Sequence, residues 1–193
     1  LLRVLAVFIT LFLPGFYIAI TTFHQELIPT ELLFSIVASR ESVPFPILFE
    51  ILVMEFSFEL IREAGLRVPS TIGPTIGIIG AIIIGQAAVD ASLVSPILII
   101  IVAITGISSF AITDFSFSFH CRLLRFSYII LGYFFGLLGI CLGLFVHLSV
   151  LCHLKSFGVP YLQPYIPVTK ANIGLLLSPA WKRENRADFL NVK

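Results

Sequence analysis

Four apolar runs, from about Val4 to Phe23, Ile72 to Ala91, Pro96 to Thr113 and Phe126 to Leu151, constrain this chain more than any other feature. A bilayer core of about 30 Å takes roughly 20 residues of helix to cross, and each run is close to that length. Only 12% of the 193 residues are charged, whereas a soluble domain averages about 25%. Too few charges are present to coat a soluble surface, so part of the apolar surface has to meet lipid. The expected fold class is therefore all-α integral membrane, with about four transmembrane helices plus a short helix and an acidic amphipathic or re-entrant helix. The net charge of +1 gives no bulk attraction to nucleic acid or to an acidic substrate.

The first run resembles the apolar region of a signal peptide only up to Phe12. It continues past Pro14-Gly15 to Ile20 with no small-residue cleavage site, so a spanning helix is expected, kinked at Pro14. Position 1 is Leu, and the chain is expected to be part of something longer. The second and third runs are joined by a few residues around Ser92-Leu93-Val94-Ser95, which predicts a tight antiparallel hairpin. The polar C-terminal tail, residues 155–193, is punctuated by Pro160, Pro164, Pro167 and Pro179 and carries six Lys and Arg residues. With four crossings both termini lie on one side, and the basic tail puts that side in the cytoplasm. Five crossings would instead put Arg62, Arg67, Arg122 and Arg125 inside.

Between the first two runs, Thr30-Glu31-Leu32-Leu33-Phe34 begins a short helix, which Val43-Pro44-Phe45-Pro46 ends. Ile47 to Ala64 is helical in pattern, with Gly65 in the C-cap position and Pro69 beyond. This segment sets Glu50, Glu55, Glu59, Arg62 and Glu63 against eleven large apolar residues. On insertion scales a charge at mid-helix costs about 2.5–3.5 kcal/mol, and a large apolar residue returns about 0.3–0.6 kcal/mol. The sum is unfavourable, so alone in lipid the helix does not insert. It lies at the interface, re-enters, or crosses only inside a protein assembly.

Glu55, Glu59, Arg62 and Glu63 fall within an arc of about 100°, and Glu50 stands alone on the opposite, otherwise apolar face. The cluster reads either as a solvated face or as part of an ion pathway. The lone Glu50 has to be paired, protonated or open to water. Gln86 and Asp90 lie at i, i+4 in the second run, where Asp90 marks either the water boundary or a pathway. Thr105, Ser109 and Thr113 form a hydroxyl stripe that either bonds back to its own helix or lines a pore. Glu50, Glu55, Glu59, Gln86, Asp90, Thr105 and Ser109 are thus the candidates for an ion pathway or its gate. Gly132, Gly136, Gly139 and Gly143 fall within about 60° of one another on the last run, and Gly73, Gly77 and Gly80 repeat the pattern on the second. Both sets are expected to pack helices closely. Cys121, Cys141 and Cys152 read as unbonded thiols, and His24, His120, His147 and His153 lack metal-ligand spacing. No nucleophile, phosphate-binding or metalloprotease motif occurs, so neither catalysis nor a cofactor or metal site is expected.

Several motifs in order resemble the A subunit of bacterial spore germinant receptors, the GerA family. They are His24-Gln25-Glu26-Leu27-Ile28-Pro29-Thr30, Arg40-Glu41-Ser42-Val43-Pro44-Phe45-Pro46, Phe58 through Pro69, Ile84 through Pro96, and Ser156-Phe157-Gly158-Val159-Pro160-Tyr161-Leu162. The resemblance covers nearly the whole chain except the last dozen residues. It implies a multi-pass membrane domain over residues 1–154, normally preceded by a hydrophilic cytosolic domain, in the spore inner membrane. It further implies a transporter-like B subunit and a lipoprotein C subunit as partners. The A subunits themselves would form a homo-oligomer, a pentamer, that acts as a nutrient-gated cation channel. The alternative role is a non-conducting scaffold that docks the nutrient-sensing partner.

Overall fold

In the computed structural model, which describes residues 2–67, 80, 85–156 and 159–160, the first, third and last apolar runs are helical. Helix α1 is Leu2–Phe23, and Pro14 lies inside it, buried, without ending it. A single 3₁₀ turn, Gln25–Leu27, leads to α2, Thr30–Arg40, and then to α3, Ile47–Arg67. Residues 85–90 are helical, α4 is Pro96–Phe110, and α5 is Phe115–His153. The chain forms two units, Leu1–Gly143 and Leu144–Lys193. In the second, Lys155–Ser156 pairs antiparallel with Val159–Pro160, and most of the predicted tail lies outside the described residues.

Two helices, Leu2–Phe23 and Phe115–His153, are long and apolar enough to cross a membrane, and Pro96–Phe110 is apolar but shorter. The run expected at 72–91 falls mostly outside the described residues. Three boundaries differ from the sequence reading, each for a local reason. Gly65 does not cap α3, which continues through it to Arg67. The third run ends at Phe110, where Ala111 N–H turns back to Ser108 O at 3.1 Å. Asp114 then starts α5 eleven residues before the predicted Phe126. Its carboxylate accepts Phe117 N–H at 2.6 Å, as an N-cap acid does.

Within the first unit the helix directions follow from named contacts. Phe12 meets Tyr128 edge-to-face at 4.8 Å between ring centroids, Gly15 abuts Gly132, and Phe23 and His24 lie against Gly136, so α1 and α5 run parallel. Along α3, Glu50 reaches Ser95 and Arg62 reaches Gly106 and Ser109, so α3 and α4 run parallel. Glu55 and Glu59 meet Arg125 and Arg122, so α3 and α5 run antiparallel. A shared apolar core holds them, with Tyr17 and Ile18 from α1, Ile51 and Met54 from α3, Leu98 and Val102 from α4, and Ile129 from α5.

Two turns set this arrangement. The predicted tight reversal before α4 is built on Ser92 at φ 54°, with Leu93 N–H bonded to Ala88 O at 2.9 Å. The second lies where the sequence predicts one uninterrupted span. Gly136 takes φ 62° and ψ −147°, a region essentially closed to residues with a side chain. A Cβ on Gly143 would stand 2.7 Å from Leu131 Cδ1 and 3.2 Å from Tyr128 Cε1. Twelve residues of straight helix cover about 18 Å, so the chain doubles back at Gly136.

Close approach at Gly132 has a measurable cost when it is denied. A Cβ there would lie 2.7 Å from Gly15 O, a backbone atom that cannot swing away. Gly132→Val should lower stability by about 1–3 kcal/mol in SDS titration of the micellar protein followed by circular dichroism. Gly85→Ala, whose Cβ would meet only Ile99 Cγ2 at 3.9 Å among the described residues, should leave stability unchanged or raised by about 0.5–1 kcal/mol.

Candidate functional site: a charge ladder between helices

Glu55 and Glu59, one turn apart on α3, face Arg125 and Arg122, one turn apart on α5. Because the helices run antiparallel, i, i+4 on one matches i, i−3 on the other, and both pairs close together. Glu55 Oε2 lies 2.7 Å from Arg125 Nη2, with side chains 0% and 1% exposed. Glu59 Oε1 lies 3.1 Å from Arg122 Nε, nearer the surface. Arg62 forms the next rung. Its Nη2 donates to Gly106 O at 3.1 Å and to the Ser109 hydroxyl, which itself donates to Gly106 O at 2.6 Å. Ser118 on α5 donates to Ser109 O at 3.2 Å, so the end of α4 is clasped from both sides.

Rings sheathe the cations. The Arg62 guanidinium sits 4.2 Å from the Phe110 centroid and 5.5 Å from that of Phe58. Arg122 lies over Phe115 and Phe119, and Arg125 over Phe126. Such contacts recover part of the hydration that each guanidinium gives up. The five groups act on one another electrostatically, three cations against two carboxylates. Glu55 Oε1 and Glu59 Oε2 are buried without a hydrogen-bond partner, so each carboxylate has capacity for a further donor.

A second polar junction lies at the opposite end of α3. Glu50 Oε1 accepts Ser95 N–H at 2.5 Å, satisfying from another helix the backbone donor of the N-cap residue of α4. Arg40 Nε stands 3.6 Å from Glu50 Oε2, and Tyr17 lies within the electrostatic reach of both. Of the three outcomes open to a lone Glu50, the structure has pairing.

The remaining predicted residues are placed as follows. Ser109 joins the ladder, while Thr105 is buried and donates to Ile101 O at 2.7 Å within its own helix. Gln86 and Asp90 are exposed. Gly73 and Gly77 lie outside the described residues, and Gly80 abuts Ile61 on α3. Gly132 and Gly136 face α1, whereas Gly139 and Gly143 face Leu131, Phe135 and Tyr128 of their own element. The glycines therefore serve two contacts on two sides of a break, not one face of a straight helix. Among the described residues no cluster of three or more His, Cys, Asp or Glu could hold a metal ion.

Sequence reasoning missed Arg122, Arg125 and Arg40 as partners of the acids. Two arginines three apart in an apolar helix would have betrayed them. Starting the last span at Phe126 left both arginines in a loop.

Fold and site together define a largely helical module, with two helices apolar enough to cross a membrane and a ladder of acids and arginines between α3 and α5. The chain matches, over residues 1–189, the family described as Bacillus/Clostridium GerA spore germination protein, and it belongs to that family. It is 48% identical to spore germination protein KA of Bacillus subtilis (strain 168), over 99% of this chain and 36% of that protein. To uncharacterized membrane protein YfkQ of the same organism it is 45% identical over 96% of the chain, again 36% of the relative. Spore germination protein A1, also from that organism, is 47% identical over 84% of the chain and 34% of its own length. The chain thus spans about a third of these relatives. No solved structure matches it.

Removing one partner of the innermost rung strands a buried charge. Arg125→Leu should cost about 3–5 kcal/mol in SDS titration, and the double change Glu55→Leu with Arg125→Leu should recover most of it. A single change as mild as the double one would mean that water reaches the Glu55 carboxylate.

Proposed function

We propose that this chain is the membrane-embedded part of an A-type subunit of a spore germinant receptor, acting in nutrient-triggered germination from the spore inner membrane. It works there as the cation-conducting component of a homo-oligomer, a pentamer by family resemblance, beside a transporter-like B subunit and a lipoprotein C subunit. Support for the germination role comes from its relatives, spore germination proteins KA and A1. The observation that carries the conducting role is the ladder: Glu55 deep between helices and Glu59 one turn nearer the surface, both held by arginines of another helix. Parting α3 from α5 would release Glu55 and Glu59 to a water-filled path, where rings of carboxylates attract cations. With the seam closed, the arginines occupy them.

In this reading α3 crosses the membrane inside the bundle, the third of the options open to an acidic helix. Its direction, parallel to α4 and antiparallel to α5, supports that. Gln25 and Asp90 then lie on one side, Ala64 and Asp114 on the other. In a background without native cysteines, Gln25→Cys and Asp90→Cys should react with an impermeant maleimide from one side only. Ala64→Cys and Asp114→Cys should react from the opposite side only. Reaction of Ala64→Cys from the same side as Gln25→Cys would return α3 to the interface.

A non-conducting scaffold is the second reading, favoured by the observation that Glu50, Glu55 and Glu59 all have partners within the chain. Cation flux from reconstituted vesicles separates the two. Conduction predicts that Glu50→Gln or Glu59→Gln reduces release about tenfold, equivalent to about 1.4 kcal/mol in barrier, with assembly intact. Under the scaffold reading both variants release normally.

A further inference from the structure

A cleft of about 520 Å³ lies between the end of α1 and α2, within the range of small-ligand sites. Its floor is Leu33, Ile36 and Val37, and its rim is Gln25, Arg40 and Glu41. Thr21, in the last turn of α1, closes one wall. Because α1 is a candidate span that ends at Phe23, the cleft sits at the level where that span meets water. Beside the cleft on α2, Leu32 and Phe34 are more than half exposed, so apolar side chains stand unburied at this level.

The rim fixes the ligand's charge. Arg40 and Glu41 present one cation and one anion side by side. Arg40 is only loosely engaged, with Nε 3.6 Å from Glu50 and no hydrogen bond at that atom. A guanidinium carries five N–H donors, so others remain for an anionic oxygen. Gln25 spends its Nε2 on Thr21 O at 2.9 Å, which leaves its carbonyl as an acceptor. A purely anionic ligand would meet Glu41, and a purely cationic one would meet Arg40. A ligand that satisfies the whole rim brings a phosphate for Arg40, a primary ammonium for Glu41 and Gln25, and an apolar body for the floor. We propose that this cleft binds the phosphoethanolamine headgroup of a membrane phospholipid, tying α2 to the bilayer surface.

The full chain, reconstituted in nanodiscs of equal parts phosphatidylethanolamine, phosphatidylcholine and phosphatidylglycerol, tests this. Lipids retained after gentle detergent release are identified by native mass spectrometry. Phosphatidylethanolamine should be retained about three- to fivefold over the other two, as expected for one exposed charge pair. Glu41→Gln, at an exposed position, should bring phosphatidylethanolamine down to parity with phosphatidylcholine. Val37→Trp, which fills the floor, should lower retention of all three. Free phosphoethanolamine should displace the retained lipid. Equal retention in the unaltered chain, a preference for phosphatidylglycerol, or a preference untouched by Glu41→Gln would overturn the proposal. Binding of free phosphoethanolamine without retained lipid would overturn it too, assigning the cleft to a soluble ester.

Discussion

The contact between Glu55 and Arg125 is the one on which the rest of the first unit depends. Helix α3 carries too many charges to enter lipid alone, yet it lies among apolar helices with Ile51, Met54 and Glu55 of its middle turns buried. What makes that tolerable is a cation delivered from α5 at the same depth, followed one turn later by Arg122 for Glu59. Neither pair needs to add net stability. A buried pair often does no better than two well-packed apolar residues, but half a pair is strongly destabilising. The spacing of the acids and arginines thus sets the register of α3 against α5, because a slip of one residue would leave all four charges unmatched.

Much of this fold was legible in the sequence. The apolar runs, the acidic helix starting at Ile47 and the reversal at Ser92 all follow from local rules of length, capping and turn chemistry. The site was half legible. Composition identified the acids as misfits, and the reading that Glu50 had to be paired, protonated or open to water needed no structure. Which groups would answer was not visible, since Arg40, Ser95, Arg122 and Arg125 come from other elements, up to about 70 residues away. The break at Gly136 was hidden for a different reason. Glycine at 3.6-residue spacing is equally the signature of a straight packed helix and of a hinge. Only the backbone angles and the contacts of Gly139 and Gly143 separate them.

The two polar junctions divide labour along α3. At one end Glu50 gathers Arg40 and Ser95, joining α2 and α4 at a single carboxylate, with Tyr17 of α1 within its electrostatic reach. From the middle to the other end, the ladder joins α3 to α4 and α5. Between them the contact is apolar, through Ile51 and Met54. Helix α3 is thus pinned by charge at both ends and can slide only if one set of pins lets go.

Pairing across such a distance in the chain also constrains how the molecule is made. Ribosomes add about 5–20 residues per second, so several seconds separate the emergence of Glu55 from that of Arg125. During that interval the acidic helix exists without its counter-charge and has no stable place in the hydrocarbon. It has to wait at the membrane surface or in the insertion machinery, and settle only when α5 arrives. With α3 crossing the membrane as proposed, its insertion is completed only after α5 has been made.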